Sequence, residues 1–349
     1  MSLRLSTRTV LSRAAAIAVL ATAFAQHVRA ETPAEFYKGK AVTLIISSSP
    51  GGGYDTLGRL IAKHLSKNVP GEPNIVVKNM PGAGGIIATN YLYSNAPSDG
   101  TTIGGVQNNT PLEPLYGTKQ ARYDAQKFNW LGSPSTETGL LLVWNSVAVK
   151  TLEAAKKTEI AVGSSGANST PSFYARLMNE VLGTKLKIVL GYKGQNEAFL
   201  AMERGEIDGY PSTFYSSLKA IRPDWLTENK VILLAQYGDE KEKELADVPF
   251  VPDLVTKPED KDMLRTAFAP LALGRPYLMP PGVPADRVTA MQDAMIATFK
   301  DAAFTAEAEA SKLSINNIRS GKQLAETIAK AYEATGPVVD RIKRLQKVE

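Results

Sequence analysis

Lys40 to Leu65 reads KAVTLIISSSPGGGYDTLGRLIAKHL, and its order is strand, turn, helix. Ala41 to Ser47 is a nearly continuous apolar run, the pattern of a strand buried on both faces of a parallel sheet. Leu57, Leu60, Ile61 and Leu65 recur at three and four residues, which is helical spacing. Between them, Ser47 to Thr56 carries three consecutive glycines. In an open parallel sheet such a loop lies at the carboxyl end of its strand, where ligands bind. The helix that follows turns unpaired N–H groups and a partial positive charge towards the same spot. The loop therefore has the makings of an anion site without a cationic side chain.

Outward from this stretch the pattern repeats. NIVVKN (Asn74 to Asn79) reads as a second strand, GIIATNYLYSNA as a helix closed by Pro97 and Gly100, and TTIGGVQ (Thr101 to Gln107) as a third strand. PGAGG (Pro81 to Gly85) and QNNTP (Gln107 to Pro111) are expected to border the same cleft. The alternation restarts at EIAVG (Glu159 to Gly163). A second small-residue loop follows, GSSGANSTPS (Gly163 to Ser172), with a helix from Thr170 to Leu182. LKIVL, a helix from Asn196 to Arg204, IDGYP and KVILLAQY (Lys230 to Tyr237) complete a second α/β unit. The remainder is helical only and must pack on an existing sheet. The chain is expected to cross between units near Trp130 to Val143 and to return near Arg265 to Leu273, with the C-terminal helices on the first unit. The expected division is 1–30, a signal peptide; 31–137 with 269–349, the first α/β domain; and 138–268, the second.

The N-terminus reads as an address. Arg4, Arg8 and Arg13 precede the apolar stretch Ala14 to Ala25, and Val28-Arg29-Ala30 offers a cleavage site after Ala30. That stretch is too short to span a bilayer. The expected location is the periplasm. The chain has no Cys, which excludes disulfides and a lipid-modified cysteine. Four of the 40 Lys and Arg residues, and none of the 35 acids, lie in the leader, so the mature chain is near neutral. With no basic run, nucleic acid is not an expected partner. Removing His27 leaves His64, which with no Cys argues against a zinc site. His64 lies beside Leu57, Leu60 and Ile61 and reads as a half-buried helix histidine. No cofactor is expected. Neither glycine run continues into GxxxxGK[ST] or GxGxxG.

Each loop alone has a plainer reading: glycine turns that only turn, with Asp55 and Ser169 or Thr170 as helix caps. Two such loops, one per unit, favour a ligand cleft. At these residues the chain resembles the periplasmic receptors of tripartite tricarboxylate transporters, the Bug family. The first loop, VVKNMPGAGGIIATNYLYSNAPSDGTTIG, GSSGANSTPSFYARLMNEVLG, GYKGQNEAFLAMERGEIDG and MPPGVPADRV carry the likeness in order and spacing. The resemblance implies an α/β, two-domain periplasmic-binding-protein-like clamp with two crossing strands (type II-like), and a binding role without catalysis.

It also implies a site. Ser48, Ser49, Gly51, Gly52, Gly53, Tyr54 and Asp55 come from the first loop, and Gln107, Asn108 and Asn109 from the third strand's end. Ser164, Gly166, Asn168, Ser169 and Thr170 come from the second loop, and Asp208, Ser212 and Thr213 from a neighbouring strand. Tyr192-Lys193-Gly194 matches the family's YKG. Tyr54, Asn168 and the returning stretch with Arg275 and Tyr277 depart from the family pattern. Arg275 has two readings, a partner for a ligand carboxylate or an interdomain salt bridge. The implied partners are a small carboxylated ligand and integral membrane transporter subunits, with the receptor a monomer. The same clamp as a sensor input, or a secreted hydrolase or lyase using Asp55 or Asp208, are the competing readings.

Overall fold

Along Ala41–Ile46 (β1), Val42, Leu44 and Ile46 enter one apolar cluster and Ile45 enters another. That period of two buries both faces of the strand and forces a helix layer on each. The computed structural model describes residues 31–51, 53–167, 169–192 and 194–346; the leader, Gly52, Asn168 and Lys193 lie outside the described residues.

The first sheet also holds β2 (Asn74–Asn79), β3 (Thr102–Gly105), β4 (Asn129–Ser133), β10 (Tyr277–Met279) and β11 (Arg319–Ser320), in the order β11-β4-β10-β3-β1-β2. On one face lie α1 (Gly53–Leu65), α6 (Ala285–Lys300) and α7 (Ala302–Ala310); on the other lie α2 (Ile86–Ser94) and α8 (Gly321–Tyr332). The second sheet runs β7-β6-β8-β5-β9, from β5 (Gly139–Trp144), β6 (Ile160–Ser164), β7 (Leu186–Leu190), β8 (Gly209–Phe214) and β9 (Val231–Tyr237). Leu141 and Val143 of β5 face α3 (Thr170–Leu182) and α5 (Pro258–Leu273), while Leu140 and Leu142 face α4 (Gln195–Glu203).

Both sheets are mixed. β1 pairs parallel with β2 and β3, and β6 with β7 and β8. β10 runs antiparallel between β3 and β4, and β5 antiparallel between β8 and β9. These reversed strands are where the chain changes sheets. The outward link is only residues 134–138, because the stretch expected to cross is itself two strands, β4 and β5. The return was expected near Arg265 to Leu273 and lies instead at residues 274–276. Met263, Leu264, Ala267, Phe268 and Leu271 have helical spacing behind Pro258, a residue suited to a first helical turn, so that stretch is helix α5. The C-terminal helices also divide. α8 lies on β4, whereas α9 (Gly336–Gln346) lies on α3 and α5, where Val338, Ile342 and Leu345 join the second sheet's core.

Register fixes how the sheets meet. The outward link leaves the carboxyl end of β4 and enters β5 at Gly139, opposite Phe214 at the carboxyl end of β8. The return enters β10 at Tyr277, opposite Gly105 at the carboxyl end of β3. Both links therefore join carboxyl ends to carboxyl ends. The links touch at Gly274, whose φ is +60°, and a Cβ there would overlap the Ser135 carbonyl. Ser133 Oγ donates to Ser135 O at 2.7 Å and accepts from Arg275 N–H at 2.9 Å; Glu137 N–H donates to Leu271 O at 3.0 Å.

Candidate functional site

The first loop is built around Asp55. Its Oδ2 accepts from Gly51 N–H at 2.8 Å and from Arg59 Nε at 3.0 Å, and its Oδ1 accepts from Asn79 at 2.8 Å. Hydrogen bonding from Arg59 leads the causes that hold this carboxyl down at about 2, with Gly51 and Asn79 assisting against burial. Asp55 is thus an internal brace, reaching back from the first turn of α1 to close the glycine turn. Asn79, at the end of β2, also donates to Ser48 O at 3.0 Å. Ser49, Gly51 and Gly53 stay exposed on the loop's outer side and Ser48 is half-buried.

Tyr54 is tucked beneath the loop. Burial pushes its phenol up, and its hydroxyl accepts the Asn108 N–H at 3.1 Å. Ser47 Oγ likewise accepts the Gln107 N–H at 3.0 Å, and Asn109 donates to Glu113 at 3.0 Å. Gly85 packs against Ser47 and Gln107, which brings PGAGG to the same strand ends.

Over this floor lies Arg275, delivered by the return link. Its guanidinium is 5.3 Å from the Tyr54 ring centroid, within cation–π range. A Cβ on Gly53 would stand 2.7 Å from Arg275 Nη1, so the absent side chain makes room for the guanidinium at the start of α1. Arg275 Nε is 3.6 Å from Glu137 Oε1, and Glu137 Oε2 accepts from Ser216 Oγ at 2.6 Å. Burial pushes the Glu137 carboxyl up, with Arg275 and Ser216 acting against it. Ser216 follows β8, so the chain first sheet–Arg275–Glu137–Ser216–second sheet is a polar bridge across the junction. Of the two readings of Arg275, the structure displays the ion pair.

The second loop is built from hydroxyls. Ser164, Ser169 and Ser172 converge on Gly166 O at 3.3, 2.7 and 2.8 Å, and Ser164 Oγ lies 2.7 Å from both other hydroxyls. Thr170 is exposed at the first turn of α3. Ser212 and Thr213 are buried near the carboxyl end of β8, beside this loop in the sheet.

Asp208 does not join this group. It precedes β8, and its Oδ2 accepts the Ala161 N–H at 2.7 Å near the amino end of β6. Three residues of strand, roughly 10 Å, separate Ala161 from Ser164. His64 is buried, its Nε2 2.9 Å from Glu307, and it ties α1 to α7 away from the loops. Glu137, Ser216 and Ser172 were missed by sequence reasoning. The available signal for Glu137 was a lone acid among small residues, SPSTETG, between two apolar runs.

Two α/β lobes joined by two links at facing strand ends define the class of periplasmic binding proteins. The sequence model of the tripartite tricarboxylate transporter family receptor (TctC) matches residues 57–343, and the chain belongs to that family. Members are solute receptors and not enzymes. The chain is 26% identical over 260 residues to the "UPF0065 protein in gbd 5'region" of Cupriavidus necator, covering 71% of this chain and 74% of that one. It is 33% identical over 85 residues, about a quarter of each chain, to BugT of Bordetella pertussis. Among solved structures, a TctC solute binding protein from Polaromonas superposes with a TM-score of 0.68 at 19% identity, covering 88% of this chain and 98% of that one. MatC of Rhodopseudomonas palustris, solved with malate, superposes at 0.58 with 20% identity, covering 88% and 99%. Rpa4515 of R. palustris, solved with adipate, gives 0.57 at 19%, covering 87% and 97%. Among the described residues no helix is long and apolar enough to cross a membrane.

Proposed function

We propose that this chain is exported, loses its leader after Ala30, and captures a small organic carboxylate between the loops that follow β1 and β6. It then delivers this solute, as a monomer, to the membrane subunits of a tripartite tricarboxylate-type transporter. The lobes in this reading are 31–137 with 274–335, and 138–273, α9 riding on the second. They close about residues 134–138 and 274–276.

The observation that carries the reading is the register: both small-residue loops and both links share one junction of carboxyl strand ends, with the Arg275 guanidinium set against Gly53 there. A carboxylate at this place meets the first-turn N–H groups of α1 and α3 and a cation held by one imperfect ion pair. Each charge-assisted hydrogen bond contributes roughly 1.5–3 kcal/mol. A few of them, less the cost of immobilising the solute, support about micromolar binding. Malate and adipate, held by structural neighbours, are the first dicarboxylates to try.

The test is a thermal-shift and calorimetric screen of the leaderless protein against malate, adipate, citrate, glutamate and benzoate. A true solute at about 100 times its Kd should add about 2.7 kcal/mol of stability, a midpoint rise of a few degrees. Arg275→Ala should weaken that solute at least tenfold. No shift from any carboxylate at millimolar concentration would defeat the capture reading.

A further inference from the structure

The two links divide the junction. The Gly51 and Ser164 loops lie on one side, at β1 and β6. On the other side the sheets end in edge strands β11 and β9, four and three strands away. At about 4.8 Å per strand that is roughly 15–20 Å from the loops. A cavity of about 470 Å³ opens there, between α5 and α8. Its floor is apolar, from Leu264, Phe268, Ala269 and Ala272 of α5. Its charged lining is Lys261, Arg265, Arg319 and Lys330 against a single acid, Asp239.

The cations are unequally occupied. Arg265 is paired at 3.1 Å with Asp262, outside the lining. Arg319 Nη2 donates to Asp239 at 2.9 Å and its Nη1 lies 3.9 Å from Glu240, joining β11 of one sheet to the loop that follows β9 of the other. Its Nε is buried with no acceptor among the described residues. Lys261 and Lys330 have no carboxylate within ion-pair distance among the described residues, so the excess positive charge belongs to the cavity rather than to internal pairs.

We propose that this cavity is a second binding site, distinct from the cleft at the loops, for a small amphipathic organic anion: an apolar body on the Phe268 floor and an acidic group held by Lys261, Lys330 and Arg319. The volume lies within the range of small-molecule sites. An apolar floor ringed by cations discriminates against inorganic anions, which gain nothing from the floor, and against neutral apolar solutes, which gain nothing from the rim. Arg319 and Asp239 come from different sheets, so an anion that draws Arg319 from Asp239 acts on the contact between the lobes. Affinity at the two sites is then coupled, and reciprocally so.

The probe is anilinonaphthalene sulfonate, titrated into the folded, leaderless protein at neutral pH and followed by fluorescence. One saturable site is expected. Lys261→Ala with Lys330→Ala should weaken it at least tenfold. Both lysines are exposed and unpaired, so the thermal midpoint should stay put. Thr327→Trp, which fills the cavity and leaves its charge unchanged, should abolish binding. Arg275→Ala should leave it intact, so this result stands apart from that of the carboxylate screen. Absence of saturable binding, indifference to both cavity variants, or loss in Arg275→Ala would each overturn the proposal. Displacement of the dye by an acidic peptide, and not by benzoate or hexanoate, would overturn it in favour of a protein partner.

Discussion

The loops after β1 and β6 hold the same position in their sheets and are built from opposite chemistry. The first closes on a carboxylate: Asp55 takes three donors, one backbone and two side-chain, and nothing else nearby can replace it. The second closes on a carbonyl: three serine hydroxyls and the Ser169 N–H, at 3.1 Å, crowd Gly166 O, which has two lone pairs. In the first loop each bond has one possible maker. In the second the hydroxyls overlap in role: Ser164 and Ser172 are buried and Ser169 is half-buried, so Ser169 can turn towards a solute while the other two keep the turn closed. In the proposed cleft a rigid loop is thus paired with a more adaptable one.

The sharpest way to break this comparison is to remove the brace. Asp55→Ala leaves Gly51 N–H without its acceptor and takes one bond each from Asn79, which keeps Ser48 O, and Arg59, which keeps Asn79 Oδ1. The expected loss is about 1–3 kcal/mol, since hydrogen bonds to an ionised acceptor are lost while their exposed or half-buried donors recover water. Urea denaturation at neutral pH measures it. A loss below about 1 kcal/mol would show that the first loop is as redundant as the second.

Acid separates the loops next. The folded carboxyl of Asp55 titrates at about 2, below its ordinary value of 3.8. A depressed pKa means that the unfolded chain takes up the proton first, so the stabilisation is complete above about pH 4 and is lost as pH falls towards 2. The stability gap between wild type and Asp55→Asn should be flat from pH 7 to 5 and shrink by half or more by pH 3. Serine variants of the second loop should give a gap that does not vary over that range. A pH-independent Asp55→Asn gap would mean that the carboxylate's charge contributes nothing to the loop.

What was legible in the sequence follows the same division between local and distant causes. α3 was readable to the residue because its signals are adjacent in the chain: Pro171 in its first turn, apolar spacing within it, Gly183 at φ +71° beyond it. The loop after β1 was readable as a strand-to-helix glycine turn for the same reason. Asp55 was named but its partner Asn79 was not, because strand pairing and not spacing brings them together. The Arg275–Glu137 pair joins residues that only the two links bring together. Asp208 was placed at the cleft by its motif, yet strand direction puts it at the other end. Arg265 to Leu273 was read as the return link but is the second half of α5, which runs through Pro270 although a proline normally ends a helix. Packing of α5 against α8, α9 and the second sheet outweighs that cost.

The smallest expected effect tests the adaptable loop directly. Ser172→Ala removes one of three hydroxyls from Gly166 O and leaves those of Ser164 and Ser169 beside the Ser169 N–H. The loss should be about 0.5–1 kcal/mol, near that of a single neutral hydrogen bond. Ser169→Ala should cost no more, since Ser164 and Ser172 remain on the same carbonyl. The double variant is the decisive member of the cycle. With only the Ser164 hydroxyl and the Ser169 N–H left on the carbonyl, the turn has no spare hydroxyl, and the loss should exceed the sum of the two single losses. Strict additivity in urea denaturation would show that each serine has its own fixed partner. The second loop would then be no more adaptable than the first.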